Sequence, residues 1–141
     1  MGLVCDCRAT AAITDGTITI TLPGPIPLPV TVTYSIDASI CPDCTPGGSF
    51  FNANFSASAL GFDIAASFES TSVGLPVCEN GVLTVEVEGT LTVNGDTSEV
   101  TATVTLNGTE DEVCIDLPDD VNLPIDIPCL AADVEVFSCE A

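Results

Sequence analysis

Residues 82–106 read V-L-T-V-E-V-E-G-T-L-T-V-N-G-D-T-S-E-V-T-A-T-V-T-L. Leu83, Val85 and Val87 alternate with Thr84, Glu86 and Glu88, and the phase runs on through Gly89 to Leu91 and Val93. Beyond Asn94-Gly95-Asp96, the residues Val100, Ala102, Val104 and Leu106 alternate with Thr101, Thr103 and Thr105. A period of two marks strands with one apolar and one polar face. Asn-Gly between two such runs tolerates positive φ at both positions, which predicts a tight hairpin turn. The stretch is expected to form a long antiparallel hairpin with Thr and Glu outward.

Working outward, similar patterns predict strands over 9–14, 17–22, 30–36, 50–57, 62–69, 112–117 and 133–139. Asp15-Gly16 reads as a turn, 23–29 as a polyproline-like crossing and 37–48 as a loop. Leu60-Gly61 joins two strands, 72–81 reads as a loop, and 118–128 as an irregular crossing. Leu-Pro pairs fall at several strand ends, where Pro, lacking an N–H, does not break a ladder. No segment reads as a helix. Many short strands punctuated by Gly, Pro, Asn and Asp predict one all-β domain, an antiparallel β-sandwich of jelly-roll type, over 9–141. A short N-terminal extension, 1–8, precedes it. With no Trp, the hallmark of a true immunoglobulin domain is missing.

The 141 residues carry 21 acids and a single base, Arg8, for a formal charge of −20. Such a chain repels nucleic acid and anionic membranes. No run approaches the ~18 apolar residues of a membrane span. At 46% hydrophobic residues and a mean hydropathy of +0.51, it is not an acidic disordered chain either. It has no His and no Lys. The usual general base and amine nucleophile are therefore missing, and no enzymatic role is expected. Glu110, Asp111, Glu112, Asp119 and Asp120 are candidate Ca²⁺ ligands, though without EF-hand spacing; no other cofactor is expected. The start, M-G-L-V-C-D-C-R, has neither a basic nor an apolar region, so no secretory signal is read.

Eight cysteines remain: Cys5, Cys7, Cys41, Cys44, Cys78, Cys114, Cys129 and Cys139. None falls on the apolar phase of a strand read above. Cys114 shares the polar face with Glu112 and Asp116, and the rest lie in tails or loops, which places these thiols at the periphery. Three chemistries stay open. They are disulfides within the chain, disulfides between subunits through the tail cysteines, and zinc held by Cys5, Cys7, Cys41 and Cys44.

A short tail bearing Cys5 and Cys7, ahead of a β-rich body with cysteines in loops and on polar faces, resembles the endospore appendage proteins. These are fibre subunits displayed on spores of Bacillus-type bacteria. The resemblance implies a jelly-roll subunit, without a signal peptide, whose tail cross-links neighbouring copies of itself by disulfides. The expected function is then a structural subunit of a self-assembling filament or coat, extracellular or on the spore surface. The alternative is a cell-surface adhesin or carbohydrate-binding β-sandwich using Ca²⁺.

Overall fold

The computed structural model describes residues 5–22, 25–26, 28–45, 47–59, 62–117 and 129–139. Among the described residues, ten strands form one antiparallel sheet: β1 (Cys7–Leu22), β2 (Leu28–Ile40), β3 (Phe50–Ala59), β4 (Phe62–Val73), β5 (Val77–Glu79), β6 (Val82–Val93), β7 (Asp96–Asn107), β8 (Glu112–Asp116), β9 (Leu130–Ala131) and β10 (Asp133–Ser138). The order is β10-β1-β2-β3-β4-β6-β7-β8-β9, with β5 also on β6. Sequence neighbours are nearly always sheet neighbours.

The central hairpin has the expected register, from Val82 opposite Asn107 to Val93 opposite Asp96. Its turn uses Asn94 at φ 50° and Gly95 at φ 91°, both in the left-handed region. Asn94 also docks the turn onto β4: its N–H donates to the Ala65 carbonyl, and its Oδ1 accepts from the Ala65 N–H at 2.8 Å. Along β6 the inward Leu83, Val85 and Val87 are buried and the outward Thr84, Glu86 and Glu88 are exposed. Gly89 keeps the inward phase because nothing larger fits. A Cβ there would lie 2.5 Å from the Glu69 carbonyl oxygen and 2.7 Å from the Phe68 ring.

The jelly-roll sandwich is corrected. A jelly roll has two packed sheets joined by long crossings, whereas this chain is a meander that curls nearly into a barrel. The closure is made by one segment. Leu130 and Ala131 pair with Val113 and Glu112, and Asp133–Ser138 pairs with the first half of β1. Residues 130–138 thus engage both ends of the sheet, with the change of partner at Ala132.

Other expectations also shift. Asp15-Gly16 is a bulge inside one 16-residue strand, with Asp15 at φ 57°, and pairing to β2 resumes at Gly16–Tyr34. The 37–48 loop begins late, since β2 runs to Ile40 with Ala38 and Ile40 still inward and buried. β4 continues to Val73, and the 72–81 loop contains β5. β1 starts at Cys7, so the division at residue 8 cuts through a barrel strand. The 60–61 junction and the 118–128 crossing lie outside the described residues.

Candidate functional site

The cysteines shape one end of the barrel. The start of β1, the end of β2, strand β5 and the end of β10 all lie there. Cys5 bonds Cys41, Cys7 bonds Cys78, and Cys44 bonds Cys139. The Cys7–Cys78 bridge is the informative one. β5 hangs from β6, four strands from β1 in the sheet order, yet the two Cα atoms are 6.3 Å apart. This bridge crosses the barrel end and pins opposite walls together. Backbone bonds finish the plate: the Cys5 N–H donates to the Cys44 carbonyl, the Cys44 N–H to the Cys41 carbonyl, and the Cys139 N–H to the Asp6 carbonyl. Cys41 and Cys44 turn the chain with φ of 53° and 59°. The fourth bridge, Cys114–Cys129, ties the outer side of β8 to the residue before β9.

The peripheral placement of the thiols is therefore corrected for three of them. Cys5 and Cys7 are 2% exposed and Cys41 is fully buried. Cys7 shares the inward phase with Ala9 and Ala11, and these small side chains masked the alternation at the start of β1. Cys114 does sit on the outer face, half-buried opposite Thr105. All eight half-cystines are paired within the chain. The zinc reading of Cys5, Cys7, Cys41 and Cys44 falls with the free thiols it needed, and cross-linking to a neighbour would have to exchange one of these bridges. Four bridges in one chain fit an oxidising compartment.

Of the Ca²⁺ candidates, Asp119 and Asp120 lie outside the described residues. The others sit at the β7–β8 turn, and Asp111 is committed there to the barrel seam. Its carbonyl accepts from the Ala132 N–H at 3.0 Å and its carboxylate from the Val134 N–H at 3.3 Å. Asn107 Oδ1 caps the same turn, accepting from the N–H groups of Thr109 and Glu110. Glu110 is exposed and Glu112 half-buried beside Cys114 and Cys129, whose sulfurs are bonded to each other and so are not ligands.

The opposite end differs in kind. Every buried side chain is apolar, cysteine or Tyr34 among the described residues. Near the disulfide plate the inward Ile40, Phe51, Leu83, Leu106 and Leu130 are completely covered. Toward the far end cover is mixed: the inward Val30, Ile64 and Leu91 are buried, whereas Ile18, Ile20, Ala57, Val93 and Val100 are only partly covered. Ala57 and Ala66 are small, and they alternate with Phe55 and Ile64. The inward Tyr34 hydroxyl donates to the Ala131 carbonyl at 2.7 Å, and on the neighbouring strand β3 the Asn52 Oδ1 is also buried. Burial pushes the Tyr34 pKa above the usual tyrosine value. Arg8 lies at the disulfide end, outside the lumen, its guanidinium 4.9 Å above the Phe137 ring. Among the described residues, the barrel interior is lined by apolar side chains, bridged by disulfides at one end and with several aliphatic side chains only partly covered toward the other. The sequence pattern showed which residues point inward, but which end carries the disulfides follows from strand pairing, which alternation does not encode.

The family model of the YceI-like domain matches residues 45–129, well over half of the chain. No curated protein and no solved structure matches. The family match overturns the resemblance to endospore appendage proteins, which rested on the tail cysteines; the plate accounts for those cysteines internally.

Proposed function

The chain belongs to the YceI-like family, and from that premise we propose that it binds an uncharged, apolar small molecule in the barrel lumen, outside the cytoplasm. The carrying observation is the partial cover of the inward Ile18, Ile20, Ala57 and Val93 at the end away from the disulfides, against the full cover of Ile40, Phe51, Leu83 and Leu106 near them. An aliphatic mouth gains roughly 25 cal/mol for each Å² that a ligand removes from water. The ligand is uncharged for two reasons. No described lumen residue is cationic, and Arg8 lies at the wrong end. A carboxylate entering an apolar interior of a −20 molecule would lose its hydration and meet repulsion. Binding rather than catalysis is supported by the family and by the Tyr34 hydroxyl, which among the described inward residues is already engaged by the backbone.

The test uses the absence of Trp. The oxidised protein should brighten the neutral fluorophore N-phenyl-1-naphthylamine, and an anionic fatty-acid probe should bind at least about tenfold more weakly. Ala57→Trp fills the mouth opposite Val32 and Ile64 and should abolish binding while the fold survives. Equal binding of both probes would refute the uncharged-ligand claim, and unchanged binding by Ala57→Trp would place the ligand elsewhere.

A further inference from the structure

The fourth bridge lies apart from the lumen and from the other three, on the outer side of the barrel seam. Glu112 and Cys114 stand two residues apart on β8, and Cys129 immediately precedes β9. The pairs Leu130–Val113 and Ala131–Glu112 set the register between these strands, and one step further along it Cys129 comes opposite Cys114. Their Cα atoms are 4.3 Å apart, close to the ~4.5 Å of a non-hydrogen-bonded antiparallel pair. Strand pairing therefore holds the two side chains together on one face, with or without a bond between the sulfurs. The segment also has holds of its own: the Ala131 carbonyl accepts from Tyr34, and the Ala132 N–H donates to Asp111. A carboxylate oxygen of half-buried Glu112 and the two sulfurs lie within 4.8 Å of one another. No other three His, Cys, Asp or Glu side chains converge so closely among the described residues.

We propose that this is a redox-gated zinc site, closed while Cys114 and Cys129 are bonded and filled by Zn²⁺ once a dithiol reductant has opened the bridge. Access selects this bridge, because Cys129 is the one exposed half-cystine of the eight. A thiolate of the dithiol attacks the Cys129 sulfur, the S–S bond breaks, and Cys114 leaves as the thiolate. The second thiol of the reductant then resolves the mixed disulfide and releases Cys129. Two electrons and two protons pass to the protein, and the dithiol ends as its own disulfide. Zn²⁺ binding then releases both thiol protons to solvent. Two thiolates with one carboxylate are a zinc-type donor set, whereas Ca²⁺ and Mg²⁺ take oxygen ligands throughout. Bonds of about 2.3 Å to sulfur and ~2.0 Å to oxygen place tetrahedral ligand atoms ~3.5–3.8 Å apart, so the Glu112 carboxylate closes by roughly 1 Å. The fourth position is left to water. The charge of −20 draws a divalent cation toward the site.

The test compares the oxidised protein with protein opened by limited dithiothreitol and freed of reductant by anaerobic gel filtration. Both are titrated with Co²⁺, whose bonds to thiolate give a charge-transfer band, and then with Zn²⁺. The opened protein should take up one Co²⁺ that Zn²⁺ displaces, and bound Zn²⁺ should shield Cys114 and Cys129 from alkylation in mass mapping. The oxidised protein should bind at least about a hundredfold more weakly. Glu112→Gln should weaken Zn²⁺ binding at least about tenfold, and Glu110→Gln, at an exposed position of the same turn, should leave it within about twofold. Circular dichroism establishes that each variant folds, and the alkylation shield reads the site in the unaltered chain. Another bridge opening first, no charge-transfer band once mapping finds both thiols free, equal uptake by the oxidised form, or Glu112→Gln binding as tightly as Glu110→Gln would overturn the proposal.

Discussion

Two residues latch the barrel, and each has its own signature. Tyr34 reaches from β2 to the closing segment, where its hydroxyl donates to Ala131. Gly16 leaves room for it, since a Cβ there would sit 2.6 Å from the Tyr34 ring. Because burial raises the folded pKa above the ordinary ~10, the unfolded chain loses the phenolic proton first. This contribution to stability is fully present below about pH 10 and is lost as pH rises through the folded value. With one Tyr and no Trp, the phenolate absorbance reports it without overlap. We expect a midpoint above 10 in the folded protein, returning to the ordinary value in denaturant. A folded midpoint at or below the denatured one would contradict the burial argument. Asp111 is the second latch. Asp111→Ala removes the acceptor of the Val134 N–H and should cost about 1–2 kcal/mol in thermal unfolding. Asp111→Asn keeps an acceptor oxygen and tolerates the φ of 53°, so it should recover most of that loss. Equal losses for both would show that the bond does not hold the seam.

The strands explain what could be read in advance. The hairpin was legible because Leu83 to Val93 and Val100 to Leu106 alternate without a break and Asn94-Gly95 has one common reading. β1 was divided in error because Asp15-Gly16 is a turn signal in chemistry but a bulge in context, where pairing to β2 overrides it. β2 was cut short because Asp37 looked like a loop residue, although Ala38 and Ile40 continued the inward phase. The disulfide pairing was not legible, since eight cysteines allow 105 connectivities and only the fold brings Cys7 to Cys78. The plate makes its own prediction. Limited reduction followed by alkylation and mass mapping should open Cys114–Cys129 early, since Cys129 is exposed, and Cys5–Cys41 last, since both are buried. Early loss of Cys5–Cys41 would contradict the burial of that bridge. Removing the crossing bridge by Cys7→Ala with Cys78→Ala should lower stability by about 2–4 kcal/mol.

Across the whole molecule, a charge of −20 is set against an apolar core and four bridges. Salt should therefore raise the thermal midpoint by screening self-repulsion, and pH lowered toward the sequence pI of about 4.1 should act in the same direction while carboxylates neutralise. A midpoint that falls steadily with added sodium chloride would contradict that balance. Fold class was visible at this scale from alternation and turn residues alone. The barrel was not, because alternation tells inside from outside but says nothing about residues 130–138 joining β8 to β1. The lumen proposed as the site was invisible for a related reason: the partial cover of Ile18, Ile20, Ala57 and Val93, against the full cover of Ile40 and Leu106, depends on their places in the closed sheet. The central claim, an uncharged ligand held at the open end, is met most directly by native mass spectrometry of the oxidised protein titrated with N-phenyl-1-naphthylamine. The account predicts a one-to-one complex that Ala57→Trp abolishes. A folded, fully oxidised protein that takes up no probe, or an Ala57→Trp variant that takes it up equally well, would contradict it.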